Sequence, residues 1–173
     1  MRQNKGQKGF SLIELLIVVA IIGIIAAIAI PNLLSSRRAA NEGSAIATMR
    51  ILHSAESTYK ETTGNGVYGT LTDLAGDKLV DPVVGGATIA GPGTAKSGYL
   101  FAASPLDATA TMPVGFDGAG QPSTHTSGNP VLATGTRSFS ISETGVMYVD
   151  TAATAPALDR ASRAAASPAK VLN

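Results

Sequence analysis

The chain has 173 residues, 45% of them hydrophobic and 14% charged, with a formal net charge of +1, a balance that offers no basic stripe for a nucleic-acid groove. It contains no cysteine, which excludes disulfide stapling, thiol catalysis, cysteine-ligated zinc and iron–sulfur chemistry. The hydrophobic share is inflated by one N-terminal stretch and by alanine, leaving about 110 residues beyond position 62 for a modest core.

The first nine residues hold Arg2, Lys5 and Lys8 and no acid. Residues 10–30, FSLIELLIVVAIIGIIAAIAI, would form about 31 Å of helix, enough to cross a bilayer. A basic start before an apolar run, with no small-residue cleavage site after it, reads as an anchor whose leader stays cytoplasmic and whose remainder lies outside. Glu14 is the one charged residue of that run. An ionised carboxylate there costs on the order of 3 kcal/mol or more and needs a partner, which a plain anchor does not supply.

The residues Lys8 to Glu14, KGFSLIE, closely resemble the prepilin motif of type IV pilins and type II secretion pseudopilins. The resemblance is specific from Lys8 to Pro31, loose to about Tyr59 and only architectural beyond. It implies cleavage between Gly9 and Phe10 by prepilin peptidase, a membrane aspartyl protease, and N-methylation of Phe10. It also implies that Glu14 meets the amino terminus of a neighbouring subunit during assembly. Cleavage exposes an ammonium group at Phe10, and two charges that are each costly in hydrocarbon offset part of that cost when paired. A charge satisfied only by docking sets register, as polar residues do in coiled coils. The alternative partner for Glu14 is the amine of its own chain. Further implied partners are an inner-membrane assembly platform and its ATPase motor, membrane lipid before assembly, and other copies of the chain in a filament.

Helical periodicity continues past residue 30. Ala45, Met49, Leu52, Glu56 and Tyr59 recur at steps of three and four, widened by Ile46 and Ala55, and predict a stripe packed on the protein's own sheet. Arg50, Ser54, Ser57 and Lys60 fall on the opposite side. The whole helix, from about 10 to 62, would span roughly 80 Å. Pro31 removes an amide donor, and Gly23 weakens the same stretch, so a kink is expected there, or else extension of residues 23–31 in a packed filament.

Fifteen of the nineteen glycines lie beyond residue 63. Gly64, Asn65 and Gly66 should end the helix. Thr70 and Asp73 read as a capping box that opens a short helix through about Leu79, closed by Pro82. A loop from Gly85 to Gly98 precedes five strand candidates: Tyr99–Ala103, Ala110–Val114, Val131–Thr134, Arg137–Ser142 and Val146–Asp150. Glu143, Thr144 and Gly145 make a hairpin between the last two. The alanine-rich tail from Thr151, with Pro156 and Pro168, is expected to be loosely ordered. The expected fold is therefore α+β and pilin-like, with a leader at 1–9, a transmembrane and polymerisation helix at 10–30, an amphipathic upper half at 31–62, and a β-rich head at 63–173.

Enzyme motifs are missing, whether G-x-S-x-G or H-E-x-x-H, and no catalytic residue, cofactor or metal site is predicted. Residues 91–97, GPGTAKS, mimic a phosphate loop but carry Ala95 where glycine is required. His53 and His125 read as structural or solvated, and Asp73, Asp77 and Asp81 as the solvated face of a short helix. Asp117 to Gly120, or Asp150, lack the alternating oxygen-ligand spacing of a calcium loop. The expectation is a type IV pilin, single-pass in the bacterial inner membrane with its head periplasmic, then part of a surface filament for motility, adhesion or DNA uptake. The alternative is the major pseudopilin of a type II secretion system. A monomeric membrane-anchored enzyme or binding protein is disfavoured by the missing catalytic constellation and by Glu14.

Overall fold

A computed structural model describes residues 9–89, 94–125, 131–165 and 168–172. It divides into two units, Met1–Ser36 and Arg37–Asn173. In the first, helix α1 (Leu12–Glu61) begins at Leu12 and continues without interruption past Gly23 and Pro31. Its large apolar side chains are exposed, among them Leu12, Ile24 and Leu33. Such a helix is long and apolar enough to span a bilayer, where every backbone amide must be satisfied within the segment.

In the second unit the upper part of α1 buries Glu42, Ala45, Thr48, Met49, Leu52, Ala55 and Glu56. The expected stripe is therefore present, with Ile46 and Tyr59 packed at its border. Arg50 and Ser54 are exposed. The helix ends at Glu61, where Asn65 and Gly66 take positive φ values of 49° and 92°. The amides of Gly64 and Gly66 then donate to the carbonyls of Tyr59 and Lys60 at 2.8 and 2.9 Å. These turns satisfy acceptors that the last helical turn leaves open.

Helix α2 (Leu71–Gly76) has the expected capping box: Asp73 N–H donates to Thr70 Oγ1, and Thr70 N–H to Asp73 Oδ2. It is shorter than the span to Leu79 read from sequence. Pro82 does not close it but opens a further helix, α3 (Pro82–Gly86), which replaces the start of the expected loop. Proline at the first helical position loses only an amide that has no intrahelical partner anyway, and Asp81 Oδ1 caps the turn by accepting from Val83 N–H at 2.8 Å.

Among the described residues five antiparallel strands follow: β1 (Tyr99–Leu106), β2 (Gly115–Pro122), β3 (Ser138–Ser142), β4 (Met147–Asp150) and β5 (Lys170–Val171), in that spatial order. The candidates at 99–103, 137–142 and 146–150 correspond to β1, β3 and β4, and Gly145 (φ 75°) ends the hairpin loop as expected. Ala110–Val114 and Val131–Thr134 are bends and turns instead. The strand they displace is β2, GFDGAGQP, in which Gly118 and Gly120 face the helix stripe. A Cβ on Gly118 would lie 2.8 Å from Ile141 Cγ2 and 3.3 Å from Leu52 Cδ2, and one on Gly120 would lie 3.1 Å from Met49 Sδ. Glycine here lets α1 approach the sheet closely. Gly118→Val is expected to cost about 1–3 kcal/mol through overpacking and to lower Tm by several degrees. Circular dichroism of the detergent-solubilised chain would measure this; an unchanged Tm would show that the helix–sheet gap is not limiting.

All five residues of β3 are buried. Phe139 and Ile141 join the core with Met49, Leu52, Tyr99, Phe101 and Phe116. Ser138 instead donates to the carbonyls of Ala152 and Thr154, so the tail lies against the strand. The described part of the tail makes bonds to the sheet and its loops. Arg163 Nη2 donates to Phe116 O, Asp117 Oδ1 and Glu143 Oε2 at 2.6–2.8 Å, Arg160 bonds Asp107 O, and β5 pairs with β4.

Candidate processing and assembly site

Residues 1–8 lie outside the described part, so Gly9 is the first residue of the predicted site to be placed. Gly9 and Phe10 precede α1 as non-helical chain, Phe10 is 85% exposed, and a Cβ on Gly9 would meet no atom within 4 Å. A protease needs such a peptide: outside regular structure, accessible and free of packing.

Ser11 stands at the helix N-cap and Glu14 at the third helical position. Glu14 Oε2 accepts the Ser11 amide at 2.9 Å, which is one half of a capping box. The pattern S-x-x-E was present in the sequence, but reading Glu14 only as a buried charge overlooked it. The carboxylate therefore sits in the first turn, where backbone amides and the helix dipole favour negative charge. It is also within the same turn of chain as Phe10, whose nitrogen would become an amine after cleavage before it. Gly23 has open space around its Cα and lies within continuous helix, as does Pro31.

The other candidates resolve into structural roles. Asp73 and Asp81 cap α2 and α3 at their N-termini, and Asp77 is the C-cap of α2; they belong to three helix ends rather than one helix face. Asp150 Oδ1 accepts the amides of Thr151 and Ala152. Asp117, the first residue of the stretch weighed as a calcium loop, lies in β2 and pairs with Arg163 at 2.8 Å. His53 and His125 direct Nε2 at the carbonyls of Glu143 and Thr136. Lys96 pairs with Asp81 at 3.4 Å, while residues 91–93 of the GPGTAKS stretch lie outside the described part. Among the described residues no three acidic or histidine side chains are grouped to hold a metal ion.

Two buried carboxylates on α1 anchor the head. Glu42, which sequence reading missed, accepts from Thr136 N–H and Oγ1 and from Arg137 Nε at 2.6–2.8 Å. Burial works to raise its pKa, but the Thr136 and Arg137 donors outweigh it and hold the group below its ordinary value. Glu56 is fully buried, yet among the described residues it accepts only the Gly69 amide, at 3.0 Å. Burial pushes its pKa up to about 7, opposed by the Gly69 bond and helped by Asp73.

Comparison with known proteins falls on the N-terminus. Residues 4–30 match the family model of the prokaryotic N-terminal methylation motif. The chain is 45% identical over 58 residues to the type IV major pilin protein PilA of Myxococcus xanthus, covering 34% of this chain and 26% of that one. It is 38% identical over 80 residues to the type II secretion system core protein G of Vibrio cholerae, covering 46% of this chain and 53% of that one. It is 82% identical over 28 residues to a fimbrial protein of Pseudomonas aeruginosa, covering 16% of this chain and 18% of that one. The matched stretch thus spans at most about half the length of these relatives. No solved structure matches.

Proposed function

We propose that this chain, a member of the family of type IV pilins and type II secretion pseudopilins by its N-terminal segment, is a structural filament subunit, a type IV pilin. The observation that carries the reading is Glu14: a single carboxylate in the first turn of α1, whose stretch from Leu12 to Ile30 is otherwise apolar and largely exposed, directly after the accessible Gly9–Phe10 peptide. In this reading the basic leader holds the N-terminus in the cytoplasm and the head lies in the periplasm. Prepilin peptidase cuts between Gly9 and Phe10 and methylates Phe10. The assembly platform and its ATPase then draw the helix from lipid into the filament. Glu14, leaving its cap on Ser11, pairs with the amine of a neighbouring Phe10. Gly23 and Pro31 are where the helix bends or extends. The chain performs no catalysis of its own.

Processing is testable alone. Gly9→Val should leave the nine-residue leader attached, seen by mass spectrometry of the membrane fraction as a chain beginning before Phe10. Normal maturation of that variant would refute the assigned peptide. The second reading, the major pseudopilin of a type II secretion system, is favoured by the match to core protein G, which extends further along this chain than the pilin matches do. Long fibres of this chain sheared from the cell surface support the pilin reading. Their absence, together with loss of protein secretion on deletion, supports the pseudopilin.

A further inference from the structure

We propose that residues 62–70, the crossover from α1 to α2, form a pH-sensitive latch held by Glu56, closed while that carboxyl is protonated and loosened when it ionises. The inference rests on the head alone and goes beyond filament formation. Glu56 projects from α1 beneath the crossover and is wholly buried. Its Oε2 accepts the Gly69 amide, and its Oε1 has no hydrogen-bond partner among the described residues. The crossover is pressed tightly onto the helix: a Cβ on Gly64 would lie 2.3 Å from Val67 O and 2.8 Å from the Tyr59 ring, and one on Gly69 would lie 3.0 Å from that ring.

Among the described residues, no counter-charge pairs with Glu56. Asp73, on α2, adds a negative potential. Tyr59, on α1, is neutral and is itself pushed up, first by burial and then by Asp73, Asp77 and Glu56. Lys60 lies 4.8 Å from the ring centroid of Tyr68, and no ion pair to Glu56 exists among the described residues. A neutral carboxyl tolerates this site, because the Gly69 amide satisfies one oxygen. An ionised one concentrates charge on an oxygen without donors in an apolar setting. Lifting the crossover is the direct way to hydrate it, since its one bond among the described residues is to a crossover residue. The ordinary carboxyl value of 4.5 then applies to the open form, against about 7 in the closed form. Between about pH 5.5 and about pH 8 the opening equilibrium should therefore rise roughly 30-fold. The surface around Val67 and Tyr68 becomes more mobile as the medium turns from acid to mildly alkaline.

Hydrogen–deuterium exchange of the detergent-solubilised full chain tests this, with rates corrected for intrinsic exchange at each pH. Peptides covering residues 64–70 should open roughly 30-fold more at about pH 8 than at about pH 5.5, while β2 and β3 change little. Glu56→Gln should remove the difference, and His53→Gln, whose imidazole faces the Glu143 carbonyl instead, should retain it. Equal opening at both pH values, an equal change across the whole head, or pH dependence persisting in Glu56→Gln would overturn the latch. If Glu56→Gln does not fold, carbon NMR of the wild-type carboxyl decides: a midpoint near 7 upholds the proposal and one near 4.5 overturns it.

Discussion

Replacing Glu14 by alanine is expected to abolish filaments while leaving a normally cleaved chain in the membrane. The peptide proposed for cleavage, Gly9–Phe10, is exposed and precedes the helix, so removing a side chain one turn away should not block processing. In the proposed pairing, loss of the carboxylate removes the acid within the apolar run that would meet an ammonium at Phe10. That amine then enters the packed filament unpaired, at a cost on the order of 3 kcal/mol or more for every subunit added. Repeated along a polymer, such a cost stops growth. Glu14→Gln keeps the hydrogen bond to Ser11 but not the charge, and should fail almost as completely. Immunoblotting of the processed chain, alongside electron microscopy of sheared fibres, reads both parts. Fibres of ordinary length from Glu14→Ala would remove the pairing role.

Glu42→Ala should destabilise the head by about 3 kcal/mol. The substitution strands the Thr136 amide and hydroxyl and Arg137 Nε, all of which now converge on one carboxylate. Breaking a buried pair by removing one partner costs roughly 3–5 kcal/mol; the lower end applies because Arg137 is 38% exposed and can turn to water. The pKa of Glu42 is held below its ordinary value, so its contribution is present above the unfolded carboxyl range and is lost as pH falls through the folded value. The gap between wild type and variant should accordingly narrow in acid. Thermal unfolding in detergent at neutral and acid pH checks both statements; a gap that stays constant with pH would show that packing rather than charge holds this site.

The helix stripe was legible because Ala45, Met49, Leu52 and Glu56 follow the helical period, and the period needs nothing but the chain itself. The Thr70–Asp73 cap and the hairpin ending at Gly145 were legible for the same reason, being chemistry within a few residues. The cap between Glu14 and Ser11 could have been read from S-x-x-E and was not. Strand β2 was illegible because its glycines carry no alternation to read; Gly118 and Gly120 make sense only once Leu52 and Met49 press against them. Pro82 reads equally as the end of one helix or the first residue of another, and the Asp81 cap favours the latter.

The first thirty residues were readable without a fold: the basic start, the Gly9–Phe10 peptide, the apolar span and the lone Glu14. These are features of contiguous residues, and lipid asks of a helix only that its own backbone be satisfied. The tertiary structure alone decided which polar groups the head buries. Glu42 meets Thr136 and Arg137 across 94 and 95 positions, and Arg163 reaches Asp117 across 46, turning an alanine-rich tail into a strap. Whether a carboxylate is solvated, paired or orphaned is set by what folding brings beside it, and for Glu56 that is little more than the amide of Gly69.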